Sequence, residues 1–430
     1  MIQLLIVADD FTGGLDTGVQ FSEKGIRTRV ITNADADYAQ VTGDCEVLVV
    51  VSETRHLAPR EAYETVYNVV RKGIELGIPH IYKKTDSALR GNIGAELSAA
   101  MEASGADTLT FLPGMPALRR VTINGIHYID GIPVAESVFG KDPFEPVQKS
   151  DVRELLALQS DKPAWNARAD RIPAEKGILI VDTVTEADLT RAGKELKEKG
   201  LLRVTAGCAG FAAALPELLG LETEERKKTV PFGDGLFVLC GSVNPITQRQ
   251  LAFAEKKGFT RIHMRPEQKL DEHYFATEAG RMALDAWRTA NEDHSWMILD
   301  TNDNTDDNAE SAAYARKKGM TTEDVRCRIS GTLGKILPTM MRSRVNKTLM
   351  ITGGDTLLQC MKEMRVWEME PLYEVFPGVV LASFETGGKT RYAITKSGGF
   401  GEETLLGDLQ NMIRESSIKP ALQTAKAELQ

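Results

Sequence analysis

Short apolar runs of strand character alternate with helical stretches along this chain, and the series stops once and restarts. That rhythm restricts the fold class to α/β, with mainly parallel sheets. In the first series, strands are expected at residues 4–8, 27–32, 46–51, 80–84 and 108–112. Helical patterns lie between them, such as "PREAYETVYNVVRKGIELG" (59–77), with proline near its start and glycine at its end. "VTINGIHYIDGIPV" (121–134) alternates and carries Asn-Gly and Asp-Gly, which predicts β-hairpin material. "GILIVDT" and "LLRVTAG" read as two more strands around a helix at 186–199. "LETEERKKTVPFGDG" (221–235) is charged, then rich in Pro and Gly, and separates the two series. The expected domains are therefore 1–228 and 229–430, each long enough for its own core. The second series runs through "LFVLCGSVNPITQRQ", "SWMILDT" and "KTLMITGGDTLLQ", and the last ~12 residues look like a weakly patterned tail.

Composition excludes several classes. A formal charge of −9 argues against a nucleic-acid partner, which usually needs a basic face. No apolar run approaches the ~20 residues of a membrane helix, and the N-terminus enters a strand without a signal-peptide pattern. The five cysteines are scattered with no CxxC pair, which suits reduced thiols and a cytoplasmic location. An enzyme of small molecules is expected.

Three sets of motifs carry chemistry, all at strand ends, where open α/β sheets bind ligands. In "VADDFTGGLDTG" the carboxylates Asp9, Asp10 and Asp16 crowd the mouth of the first strand. There they can orient a hydroxyl, act as a base or hold Mg²⁺; the bland reading makes Thr12 a helix cap and Asp9 and Asp10 solvated. In "YKKTDSALRGNIGAEL", Lys83, Lys84 and Arg90 suit a carboxylate or phosphate, and "VSETRHL" adds Arg55. The third set comprises "LCGSVNPIT", "MITGGDTLLQ" and "ITKSGGFGEE". Glycines in such turns let backbone amides approach phosphate oxygens, so three together read as a nucleotide pocket. Asp355 follows one glycine pair, as a base, an Mg²⁺ ligand or simply a helix cap.

Other matches fail. "SFETGGKT" lacks the first glycine of a P-loop. "DTNDNTDDNAES" has Thr305 and Ser311 where a calcium loop needs glycine and glutamate, so a polar strand-to-helix loop is expected. Adjacent aspartates do not form a haloacid-dehalogenase nucleophile motif, and Ser242 lies in no GxSxG elbow. His127 is either a ligand contact or a satisfied core or surface histidine.

In this order, "ADDFTGGLDTGVQF", "YKKTDSALRGNIGAEL", "NGIHYIDGIPVAESVFGKDPFEPV", "GSVNPITQRQ", "TGGDT" and "TKSGGFGEE" resemble the four-carbon acid sugar kinase family, over nearly the whole chain. The resemblance implies an ATP- and Mg²⁺-dependent kinase acting on the 4-hydroxyl of a tetronate, with its active site in the interdomain cleft. It implies that Asp10, Arg55, Lys83, Lys84, Thr85 and Asp86, beside Arg90, line the acid-sugar site of the N-terminal domain. Ser242, Gly353, Gly354, Asp355, Thr356, Gly398 and Gly399 would meet ATP in the C-terminal domain. Asp355 is the first choice of catalytic base, by likeness to ribokinase-type turns, and Asp10 the second. "DTGVQ" looks more like the D-threonate and D-erythronate kinases than the 3-oxotetronate kinases. The family's Gly-Arg pair after the fifth strand is absent from "GMPALRRVT", so Leu118 and Arg119 carry no implied contact. The rival class is a non-catalytic sugar-acid sensor; a homodimer is the default assembly.

Overall fold

The computed structural model describes residues 2–38, 45–142, 144–221, 232–303, 308–342 and 344–427. The chain divides into two compact units, Met1–Arg226 with Glu368–Tyr373, and Lys227–Trp367 with Glu374–Gln430. The boundary expected at 228/229 lies outside the described residues.

The first unit contains β1 (Leu4–Ala8), α1 (Phe11–Ser22), β2 (Thr28–Ile31), β3 (Val47–Val51), α2 (Pro59–Glu75), β4 (His80–Lys84), α3 (Ile93–Ser104) and β5 (Thr108–Leu112). It continues with β6 (Arg120–Ile123), β7 (Ile126–Ile129), β8 (Ile132–Pro133), α4 (Val152–Ala157), β9 (Ala164–Arg168), β10 (Gly177–Asp182), α5 (Glu186–Glu198), β11 (Val204–Gly207), α6 (Ala209–Ala212) and α7 (Leu215–Leu219). Eight strands form a parallel sheet in the order β2-β3-β1-β4-β11-β5-β10-β9. Every residue of β1 is buried, as a central parallel strand covered on both faces requires. From β1 the chain builds β2 and β3 on one side, then crosses to β4 on the other, so β1 is the topological switch point. One face of the sheet (Leu5, Val7, Leu48, Val50, Ile81) packs on Val66 and Val70 of α2 and Leu97 of α3. A Cβ on Gly73 of α2 would lie 2.4 Å from Leu5, so helix and sheet meet there only because the residue is glycine.

The expected hairpin is a three-stranded antiparallel sheet, β6-β7-β8. Its turns place Asn124 and Gly125 at φ 50° and 79°, and Asp130 and Gly131 at 52° and 82°, the positive values that tight hairpin turns demand.

The second unit contains β12 (Leu236–Cys240), α8 (Pro245–Lys256), β13 (Thr260–His263), α9 (Pro266–Leu270), α10 (Glu278–Asp293), β14 (Trp296–Asp300), α11 (Ala309–Lys317) and α12 (Thr322–Met340). After it come β15 (Thr348–Thr352), α13 (Gly354–Glu363), β17 (Val379–Thr386), β18 (Lys389–Lys396) and α14 (Leu405–Ala427), while β16 (Glu368–Phe376) has its first six residues in the first unit. The strands run β13-β14-β12-β15-β18 in parallel, with β17 antiparallel to β18. Here the switch point falls between β12 and β15. "SFETGGKT" is the β17–β18 turn, with Gly387 and Gly388 at φ 58° and 70°. The expected C-terminal tail is helical through Ala427. No helix among the described residues is long and apolar enough to cross a membrane.

Candidate functional site

In the first unit, loops leaving β1, β3 and β4 converge at the switch point. Asp9 and Asp10 follow β1 and both are buried. Asp10 has extended backbone and caps α1, accepting hydrogen bonds from the Gly13 amide (3.0 Å) and the Thr12 hydroxyl (2.9 Å). The helix cap is therefore Asp10 and not Thr12. Arg55, after β3, donates through Nε to Asp9 (2.7 Å) and lies 2.9 Å from Asp10. Lys84, the last residue of β4, stands 3.8 Å from the other Asp9 oxygen. Asp86 receives Arg90 in a two-pronged contact (2.8 and 3.1 Å), with Arg55 at 3.9 Å, and Arg90 also reaches Asp142 at 3.3 Å.

Burial opposes ionisation of these carboxyls, but their cations win. Arg90 and Arg55 hold Asp86 well below the usual carboxylate range, and Arg55 and Lys84 lower Asp9. Conversely, Asp9 and Asp10 raise Lys84 against its burial. Cations and carboxylates here thus hold each other in place.

Lys83 does not join them. Successive strand residues face opposite ways, and Lys83 points to the α3 side, where its ammonium lies 2.9 Å from Glu96 and 3.1 Å from the Val7 carbonyl. Lys83 and Glu96 are both fully enclosed. Thr85 is also fully buried: its amide bonds the Gly207 carbonyl, but its hydroxyl has no partner, nor does that of Thr17 on α1. Thr85 lies between Lys84 and Asp86 in the chain, and an unfilled hydroxyl in a segment that carries cations and carboxylates suits a ligand that is both anionic and hydroxylated.

The hairpin sheet supplies residues that the sequence did not single out. Arg120 on β6 is buried, bonds Ser87 and lies 5.4 Å from the centroid of the Phe139 ring; Arg90 lies 5.2 Å from the same centroid. Arg119 projects to solvent. The missed signal is the inverted alternation of "RVTI", which buries Arg120 and Thr122 and exposes Ile123. His127 is a satisfied core residue: one ring nitrogen faces the Thr122 hydroxyl (3.0 Å) and the other the Ser87 carbonyl (2.9 Å), and burial pushes its pKa down to about 4.

In the second unit, the turns after β12, β15 and β18 meet. A Cβ on Gly241 would lie 2.0 Å from the Thr356 hydroxyl, and one on Gly398 would lie 2.5 Å from that of Ser242. Gly353 has φ 107° and donates its amide to the Lys396 carbonyl (3.0 Å). It precedes α13, whose first turn holds Gly354, Asp355 and Thr356 without a side-chain cap. Such a helix start, with glycine allowing close approach, fits a phosphate. Asp355 is bound by Arg326 at 2.9 Å. Ser242, Gly353, Thr356 and Gly398 are thus drawn together, with Gly399 in the same loop as Gly398.

The loop after β14 is polar, as expected, with residues 304–307 outside the described residues. Its aspartates are taken by cations: Asp300 by Arg261 (3.1 Å) and Asp303 by Lys269 (2.6 Å). Asn302 bonds the Ser242 carbonyl at 3.0 Å, which ties the loop to the glycine turns. No group of three or more His, Cys, Asp or Glu side chains that could hold a metal occurs among the described residues. A cavity of about 410 Å³ touches Phe237, Lys347, Thr348 and Arg391. It lies at the amino ends of β12 and β15, away from the glycine turns, and geometry favours the turns as the reactive end.

Two family models match the chain: a sugar-binding N-terminal domain over residues 4–215 and a nucleotide-binding C-terminal domain over residues 237–406. A D-threonate kinase of Salmonella typhimurium is 30% identical, covering 96% of this chain and 99% of its own. A D-threonate kinase of Bordetella bronchiseptica is 29% identical (95% and 97%), and a D-erythronate kinase of Heliobacterium modesticaldum 24% (93% and 94%). A solved structure from Salmonella typhimurium LT2 superposes with a TM-score of 0.74 at 19% identity, covering 95% of this chain and 99% of that one, a likeness of fold. With a sugar-binding unit, a nucleotide-binding unit and a full-length kinase relative, the chain belongs to the four-carbon acid sugar kinase family.

Proposed function

We propose that this enzyme transfers the γ-phosphoryl group of ATP to the 4-hydroxyl of D-threonate. The observation that carries the reading is the buried charge cluster at the β1 switch point, with the unpartnered Thr85 hydroxyl beside it. Support for D-threonate comes from the two D-threonate kinases that are 30% and 29% identical to it. In this reading Lys84, which stands 3.8 Å from Asp9, swings onto the substrate carboxylate with help from Arg90. Thr85 and Asp9 take the hydroxyls, while Arg55 and Asp10 keep the loops in register.

The start of α13 and the glycine turns would receive the phosphates. Mg²⁺ would arrive on those phosphates and neutralise their charge, with Asp355 as the protein carboxylate nearest the α13 start. Phosphoryl transfer depends mainly on positioning and charge. Asp355, oriented by Arg326, is the proposed base. Asp10 is a poorer one, because its oxygens already take the α1 cap and Arg55. A cytoplasmic, homodimeric enzyme belongs to the same proposal, and light scattering would settle the dimer.

The test is Mg²⁺-dependent ADP release with D- and L-threonate, D- and L-erythronate and 3-oxotetronate. Turnover concentrated on D-threonate supports the reading; turnover on erythronate or 3-oxotetronate instead moves the substrate. ADP release with none of them, while a tetronate still raises the melting temperature, makes the chain a sensor. Asp355→Asn is expected to lower kcat by about 100-fold or more; unchanged turnover removes Asp355 as the base.

A further inference from the structure

Lys396 ends β18 beneath the glycine turns and is 1% exposed. Its ammonium touches four oxygens: the carbonyls of Ser397 (3.0 Å), Phe400 (3.1 Å) and Gly398 (3.2 Å), and the Thr247 hydroxyl (3.1 Å). An ammonium has three N–H groups, so four acceptors more than saturate it. No carboxylate pairs with it among the described residues; burial pushes its pKa down to about 7, and of titratable groups the Cys240 thiol on β12 faces it, kept neutral by its own burial. An enclosed cation without a counter-charge is costly, and what this one holds together is the loop.

The orientation of the loop follows from peptide geometry. In a trans peptide the carbonyl of one residue and the N–H of the next point opposite ways, and no cis bond occurs among the described residues. Carbonyls of Ser397, Gly398 and Phe400 turned toward the ammonium therefore direct the N–H groups of Gly398, Gly399 and Gly401 away from it. The Gln250 amide braces the same loop from α8, donating to the carbonyls of Phe400 (3.0 Å), Gly401 (2.8 Å) and Glu402 (3.0 Å). The Lys396 backbone carbonyl meanwhile accepts the Gly353 amide, joining this loop to the start of α13.

We propose that Lys396 is the positioning residue of the phosphate site: its Nζ donates to the 397–400 carbonyls, gathers them inward and so aims the loop amides at the polyphosphate of a nucleoside triphosphate. The proposal rests on the nucleotide-binding reading of the second unit. It makes a separate structural ion unnecessary in this loop, since the ammonium fills the place where a potassium ion would collect carbonyls.

Lys396→Met keeps the length of the side chain and removes the charge and donors. The folded variant is expected to bind ADP at least tenfold more weakly in calorimetry and to raise KM for ATP to match, with KM for the sugar acid within twofold of wild type. A merely structural lysine would not divide the two substrates in this way. ADP affinity within twofold of wild type in folded Lys396→Met overturns the proposal. If that variant does not fold, wild-type enzyme decides: replacing potassium by tetramethylammonium at constant ionic strength should leave ADP affinity unchanged, and a strict potassium requirement overturns it. Wild-type protein that binds no ADP under any condition would instead sink the nucleotide reading itself.

Discussion

Lys83 and Glu96 test whether the two adjacent lysines of β4 have different roles. Both side chains are fully enclosed, 2.9 Å apart, on the sheet face covered by α3. Burial, with Asp9 adding to it, raises Glu96 against the attraction of Lys83. Removing one partner of such a pair leaves an uncompensated buried charge and costs about 3–5 kcal/mol. Glu96→Gln and Lys83→Met should each lose about that much in urea unfolding at pH 7. That is a large part of the ~5–15 kcal/mol that stabilises a domain. Replacing both, as Lys83→Met with Glu96→Leu, removes the charges together and should return to within about 1 kcal/mol of wild type. The cycle then shows a coupling of about 3 kcal/mol or more. Hydrogen exchange at the amides of β1 and β4 should follow the same order, since the pair spans these strands and α3. The double variant should also keep KM for the sugar acid within about threefold, because the lysine near Asp9 is Lys84. Losses in the double variant equal to the sum of the singles would refute the pairing argument. A stable double variant with acid affinity reduced tenfold would place Lys83 on the substrate after all.

Two further outcomes are expected. His127 is neutral in the fold, with its pKa pushed down to about 4 from 6.5 by burial. The unfolded chain therefore binds the extra proton between these values: stability is full above pH 6.5 and falls by about 3 kcal/mol as pH drops to 4. His127→Gln should flatten that part of the profile of unfolding midpoint against pH, and an unchanged slope would assign the acid sensitivity elsewhere. Gly353 sits at φ 107°, where an L side chain is strained. Gly353→Ala should cost about 1–3 kcal/mol of stability and lower ADP affinity at least tenfold, leaving acid binding in the first unit intact; unchanged ADP affinity would remove this turn from the nucleotide site.

The strands were legible where burial is symmetrical. β1, β4 and β5 match their expected limits, although of these β1 alone is a continuous apolar run and β4 ends in two lysines. At β2 and β3 the expected strands start one residue early, since Arg27 and Glu46 spend their side chains on each other at 3.2 Å and stand outside the strand limits. The candidate site was legible as composition and not as partnership. "KK" gives no hint of which lysine meets Asp9, although the strand period of two already separates Lys83 from Lys84. Glu96, 13 residues later in the first turn of α3, is the counter-charge that the enclosed lysine requires. Arg120 was hidden by the opposite cause: β6 buries its polar residues, so the hydrophobic pattern points the wrong way.

Three aspartates at the mouth of one strand look unfavourable in sequence, since like charges within a few ångströms repel. In the fold the repulsion is broken up. Asp10 is spent on the α1 cap and Asp9 on Arg55, while Asp16 lies a turn into α1 and is itself buried. Cations and carboxylates close to balance, which has a consequence for recognition. A simple anion that draws Lys84 away would leave Asp9 Oδ1 without its cation, with Arg55 on the other oxygen alone, whereas a polyol without charge would leave the cations as they are. A ligand bearing both a carboxylate and hydroxyls can take Lys84 and return hydrogen bonds to Asp9 and Thr85 in the same step. On the proposed reading, charge balance in the cluster favours a hydroxylated acid over either half of that chemistry alone.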